Sequence, residues 1–143
     1  LIPALKNAEF LRYGVMHKNT YMNSPQLLDN KFNLRSDKRF YFAGQMTGVE
    51  GYVESAASGL MAGLHAARAA LELEAVEFPS ETAHGALANY ISNPSVKEFQ
   101  PMNVNFGLIP PLTQRIRKKR EKNAMIAARA LEHLDEIKAK YQI

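Results

Sequence analysis

The chain has 143 residues, enough for one domain with its own core, with 46% hydrophobic and 22% charged residues. It contains no cysteine, which excludes disulfides, thiolate metal sites and a thiol nucleophile within these residues and fits a reducing compartment. No apolar run reaches the roughly 18 residues of a membrane span, no signal segment opens the chain, and the net charge of +4 makes it mildly basic.

In chain order, Leu1 and Pro3 run directly into strand-like sequence, which reads as a cut in a longer protein. Glu9–Met16 mixes aromatic and β-branched residues with polar ones and is expected to be a strand. Asn19–Pro25 is a polar loop, and turns are expected at Asp29-Asn30 and Ser36-Asp37-Lys38. Arg39–Ala43 is a short aromatic run ending at Gly44, the pattern of a buried strand.

A long helix follows, starting near Glu50 or Gly51 and ending near Leu73, with Val53, Ala56, Ala57, Leu60, Leu64, Ala67 and Leu71 at helical spacing. Ser80 is positioned to cap a short helix over Glu81–Ile91. After a loop rich in Pro, Asn and Gly, a last helix is expected from Leu112 to about Tyr141. The resulting architecture is α/β or α+β, a few strands followed by three helices.

The stretch from Gly44 to Tyr52 carries the strongest chemical signal. A strand leads into Gly44, then Gly48, then Gly51 at a helix start. A helix N-terminus has unpaired N–H groups and partial positive charge, and glycines let backbone approach a ligand closely. Ser55, Gly59, Gly63 and Ala67 share one side of the helix, which suggests close packing on a sheet or ligand. The same pattern also suits a turn that only packs. The GxGxxG fingerprint is absent, so these residues do not make a complete dinucleotide site.

His17, Asn19 and Thr20 are candidates to line a pocket, or a loop that satisfies its own backbone. Asn103, Asn105 and Phe106 lie between Pro-bearing turns and suit either a ligand contact or a packed loop. His65 and His84 have no partners at metal-ligand spacing and suit surface or capping roles, so no metal site is expected. Glu50 and Glu54 favour the helix dipole. Arg115, Arg117, Lys118, Lys119, Arg120 and Lys122 form a basic cluster, which suits either a solvated face or contact with RNA phosphates.

The segment FAGQMTGVEGYVESAASGLMAG closely resembles the C-terminal flavin-contacting motif of the folate- and FAD-dependent tRNA methyltransferases. YGVMHKNTYMNSPQLL, FPSETAHGALANYI and QPMNVNFGLIPPL resemble further segments of that family in the same order, so the likeness covers nearly the whole chain and weakens only in the last helix. At Lys18 the family pattern more often carries Arg, a change that keeps the charge and loses the planar fork.

The resemblance implies a two-domain cytoplasmic enzyme. It moves a one-carbon unit from methylenetetrahydrofolate to uracil C5 in the tRNA T-loop, with FAD and NAD(P)H supplying electrons. It further implies that Gly44, Gln45, Gly48, Val49, Glu50, Gly51 and Tyr52 bind the flavin. With the resemblance, His17, Asn19 and Thr20 would line the flavin or folate pocket; Asn105 as a substrate contact, and Arg115, Lys118, Lys119 and Lys122 as RNA contacts, are candidates from their own residues and not from the resemblance. Residues 1–38 would end the smaller domain and 39–143 would complete the FAD domain. The catalytic cysteine and the N-terminal FAD loop are not in these residues, so no catalytic residue is assigned here and the fragment alone is expected to be inactive. A wobble-uridine-modifying flavoprotein of the glucose-inhibited-division type shares the AGQ-then-glycine motif. A non-catalytic RNA-binding module would need only the basic helix.

Overall fold

The computed structural model describes residues 2–11, 14 and 19–143. Four α-helices organise it: α1 (Ser24–Leu27), α2 (Tyr52–Ala70), α3 (Ala83–Ser92) and α4 (Lys119–Tyr141). Single 3₁₀ turns cover Pro3–Leu5 and Gly44–Thr47. Among the described residues the extended segments make isolated bridges rather than ladders: Leu28 with Leu34, Asn33 with Tyr41, and Val49 with Met102.

The described chain is therefore mostly helical, which corrects one strand expectation. Half of Glu9–Met16 lies outside the described residues, and Glu9 to Leu11 are irregular. Arg39–Ala43 is neither a regular strand nor buried, since Phe40 is 54% exposed. Among the described residues its backbone pairs on one side only, with Leu34 N donating to Phe40 O and Phe42 N donating to Phe32 O. One hydrogen-bonding edge does not build a sheet. Both expected turns are present. Asp29 Oδ1 accepts from Lys31 N at 2.9 Å and Asp37 Oδ1 from Arg39 N at 3.1 Å, the local side-chain bonding that makes Asp a turn residue.

The first turn ends at Phe32, whose φ of +67° is unusual for a non-glycine residue. Its ring is 1% exposed in the main core with Val49, Met61, Leu87, Ile91 and Phe99. Burying a phenylalanine contributes about 1.5–3 kcal/mol, enough to offset a left-handed backbone of about 1–2 kcal/mol.

In α2 the buried face is Ser58, Met61, Ala62 and His65. The apolar residues read from the sequence mostly point away from the core: Val53, Leu60 and Leu71 are 79%, 72% and 68% exposed. Nothing lies within 4 Å of where a side chain would begin at Gly59 or Gly63. The helix is apolar on both sides, and this chain covers one of them.

Helix α3 starts at Ala83, and its cap is Thr82, not Ser80. Thr82 Oγ1 accepts from Gly85 N at 3.0 Å, whereas the Ser80 hydroxyl bonds Glu81. Helix α4 starts at Lys119 instead of Leu112. Residues 112–118 trail from Pro110-Pro111, whose carbonyls accept from the Arg129 guanidinium at 2.5 and 3.2 Å. At its far end Tyr141 closes a second core with Val76 and Ile137.

His65 is buried and His84 half-buried, where surface or capping roles are expected of both from the sequence. His65 is 3% exposed, because it falls at helical spacing from Met61 and Ala62 on the buried face. Its ring meets Phe78 edge-on, and Phe78 stacks on His84. The Nδ1 atoms of both imidazoles are buried without a partner. Desolvation holds both below the ordinary histidine value of 6.5, with Lys31 adding to the effect at His65. A histidine pKa lowered on folding means that the unfolded chain takes up the proton first. Stability is then full above the ordinary value and falls as pH drops through and below it. The melting temperature should accordingly decline between about pH 7 and about pH 5, and His65→Leu should weaken that decline. A pH dependence identical in the variant would show that His65 does not contribute.

Candidate functional site

The turn from Gly44 to Tyr52 is built from backbone conformations that favour glycine. Gly44, Gly48 and Gly51 have φ of +69°, +81° and +94°. Buried hydroxyls hold the turn in place. Gly44 N donates to Ser58 Oγ at 2.8 Å, Thr47 Oγ1 to Gly44 O at 2.7 Å, and Ser24 Oγ to Thr47 O at 2.9 Å. On the other side the turn pairs with the 99–103 segment. Met102 N donates to Gly48 O at 2.9 Å and Glu50 N donates to Met102 O at 3.1 Å. The Phe99 ring lies where a side chain at Gly48 would have to go.

Immediately after this turn α2 begins without a side-chain cap at Gly51. The first turn of a helix carries unpaired N–H groups and partial positive charge, and Tyr52, which begins it here, is 98% exposed. Tyr52 is thus not a core residue of this chain. A cleft of about 410 Å³ opens here, lined by Asn19, Gln45, Glu50, Gly51, Tyr52, Ser55 and Asn103. The Glu54 carboxylate and the Asn103 amide lie over Gly51. The cleft is polar at its edges with an aromatic ring at its mouth, which suits a flat heteroaromatic group with a polar rim.

The structure gathers most of the sequence-predicted residues here. Gln45, Glu50, Gly51 and Tyr52 line the cleft together with Asn19, while Gly44, Gly48 and Val49 belong to the turn but not to the cleft lining, Val49 being fully buried. Thr20 adjoins it in a second depression shared with Asn19, Tyr21 and Phe99. His17 and Lys18 lie outside the described residues. Asn105 is elsewhere. It accepts from Gly107 N and donates to Asn103 O, satisfying its own loop, and it borders an apolar groove along α4. Asn103 is the member of that loop that reaches the cleft. Ser58 and Phe99 were invisible to sequence reasoning as supports of the turn, because both act across the fold with no local motif. Arg115, Lys118, Lys119 and Lys122 are all exposed, far along the chain from the cleft. Among the described residues no cluster of His, Asp or Glu could hold a metal, and no helix is long and apolar enough to cross a membrane.

The sequence profile of the family described as glucose inhibited division protein A matches residues 1–74, which include the glycine turn and the whole of α2. The chain belongs to this family. Among curated family relatives, a methylenetetrahydrofolate–tRNA-(uracil-5-)-methyltransferase of Lactiplantibacillus plantarum is 58% identical over 138 residues, 96% of this chain and 31% of the relative. The protein of that name from Desulfitobacterium hafniense is 55% identical over 139 residues, 97% of this chain and 32% of its own length. That from Acetivibrio thermocellus is 56% identical over 141 residues, 99% of this chain and 32% of its own length. The chain thus spans about a third of the length of the relatives it matches. Identity at this level extends beyond the profile match through α3, the Asn103 loop and α4.

Proposed function

We propose that these residues form part of a cytoplasmic flavoenzyme that methylates uracil C5 in the tRNA T-loop. Its one-carbon donor is methylenetetrahydrofolate, and its electrons come from NAD(P)H through FAD. The observation that carries this reading is the 55–58% identity, over nearly the whole chain, to methyltransferases of that name. It also chooses between the two tRNA-modifying flavoproteins that share the glycine motif.

The cleft fits a flavin. When bound, FAD supplies the redox chemistry. The chain's own residues then have distinct tasks. Gly51 brings a backbone without a β-carbon to the cleft, while Gly44 and Gly48 supply the positive-φ conformations that shape the turn. The N–H groups at the start of α2 and the Gln45 amide offer donors to an electron-rich polar edge. Tyr52 offers a ring face, and Glu50 and Asn19 offer acceptors or donors at the rim. Residues 39–143 complete an α/β FAD domain in this reading, and 1–38 end the smaller domain. The cysteine nucleophile and the remaining FAD-binding loop come from other parts of the longer chain.

The test compares two proteins on unmodified tRNA with FAD, NADPH and methylenetetrahydrofolate. The full-length enzyme should form ribothymidine, and residues 1–143 alone should form none. Absence of ribothymidine from the full-length reaction would sink the functional reading. Its formation by the isolated residues would overturn the assignment of catalysis elsewhere.

A further inference from the structure

We propose that residues 115–122 are a docking strip for the phosphate backbone of tRNA, a proposal that rests on the functional reading above. The charge of the chain is concentrated there. Six cations against Glu121 leave five positive charges in eight residues, more than the +4 of the whole chain. The rest of the molecule is on balance slightly acidic. All six cations are exposed, and none takes part in an ion pair among the described residues. Elsewhere on α4 charges are paired, as Lys138 is with Asp135 at 2.6 Å.

The strip is shaped as well as charged. Arg115 and Arg117 flank Ile116, which is half-buried while both arginines are exposed. Lys118 then stands at the start of α4, and Lys119 and Lys122 follow three apart on one side of its first turn. The Arg129 guanidinium, bonded to the carbonyls of Pro110 and Pro111, anchors the segment that enters the strip.

The helix start carries Glu121 as its one acidic first-turn residue. Lys118 provides no side-chain cap, and cations in a first helical turn oppose the dipole. A phosphate there relieves both. The strip has no exposed aromatic for stacking on bases, and its one large apolar side chain turns inward, so it lacks the apolar face that a membrane-surface helix inserts. It contacts backbone rather than bases, and it positions the RNA without reading its sequence.

The test uses the full-length enzyme carrying Lys118→Gln, Lys119→Gln and Lys122→Gln together, with an unmodified tRNA transcript as probe. Binding is measured between about 50 and about 200 mM salt. The triple variant should bind about ten- to a hundred-fold more weakly at the low end, with a log–log salt slope shallower by about two. An unrelated RNA of equal length should lose affinity to the same degree. A control carrying Lys138→Gln and Lys140→Gln, at the other end of α4, should keep the wild-type slope. Unchanged flavin absorbance verifies the fold of each variant.

Wild-type affinity and slope in the triple variant would overturn the proposal. So would an equal flattening in the control, which would reduce the effect to net charge. Loss of binding to phosphatidylserine vesicles with tRNA binding intact would assign the strip to a membrane instead. If the wild-type enzyme bound no tRNA at all, the functional reading would fail, whereas normal tRNA binding by both proteins would remove this inference alone.

Discussion

Replacing Tyr52 by alanine should leave the fold intact and change the flavin. The side chain is 98% exposed, so in the isolated chain the substitution should shift stability by no more than about 0.5 kcal/mol. In the full-length enzyme the ring stands at the mouth of the Gln45–Glu50 cleft, beside the uncapped start of α2. An aromatic pair contributes about 0.5–1.5 kcal/mol beyond buried area, which corresponds to roughly a two- to tenfold loss of FAD affinity. A displaced flavin absorption band and slower methyl transfer should accompany it. An unaltered spectrum with normal turnover would rule out the stacking role.

The largest loss of stability is expected at Gly85. Its N–H is held by the Thr82 cap at 3.0 Å, and a β-carbon there would overlap the carbonyl oxygens of Phe78 and Pro79. Those are backbone atoms, and Pro79 O already accepts from Thr82 N and Thr82 Oγ1 at 3.0 and 2.8 Å. The clash cannot be relieved by a rotamer change. Overpacking usually costs 1–3 kcal/mol, and with rigid neighbours Gly85→Ala should reach about 3 kcal/mol. Urea unfolding should show a lower midpoint at an unchanged slope. A loss under about 1 kcal/mol would mean that the 78–82 loop moves aside.

What the sequence revealed follows from how local each cause is. The glycine turn was legible because positive φ and close approach demand one residue type at one place. The body of α2 and the two Asp turns were legible for comparable reasons. Arg39–Ala43 reads as a buried strand because aromatic density reports a wish for burial, whereas strand pairing depends on neighbours that the described residues do not provide. The start of α4 was placed seven residues too early, since Leu112–Lys118 contains no helix breaker and its departure from the helix involves a distant guanidinium, that of Arg129. His65 and His84 were taken for surface groups because a histidine carries no mark of its burial. The cleft was half legible: Gln45 to Tyr52 are contiguous, while Asn103 arrives from fifty residues away through the bridge of Met102 to Val49.

The contact between Gly48 and Phe99 has a consequence for how this sequence can vary. The ring fills the space that any β-carbon at position 48 would need, and it is itself fixed between Tyr21 and Tyr90, with centroids at 6.0 and 5.5 Å. The two positions are therefore a single unit of inheritance. A larger residue at 48 requires a smaller one at 99, and even then the positive φ penalises every choice but glycine. Drift that is harmless at either site in isolation becomes conditional on the other, so residues 48 and 99 should travel together through any recombination or engineered chimaera of related chains.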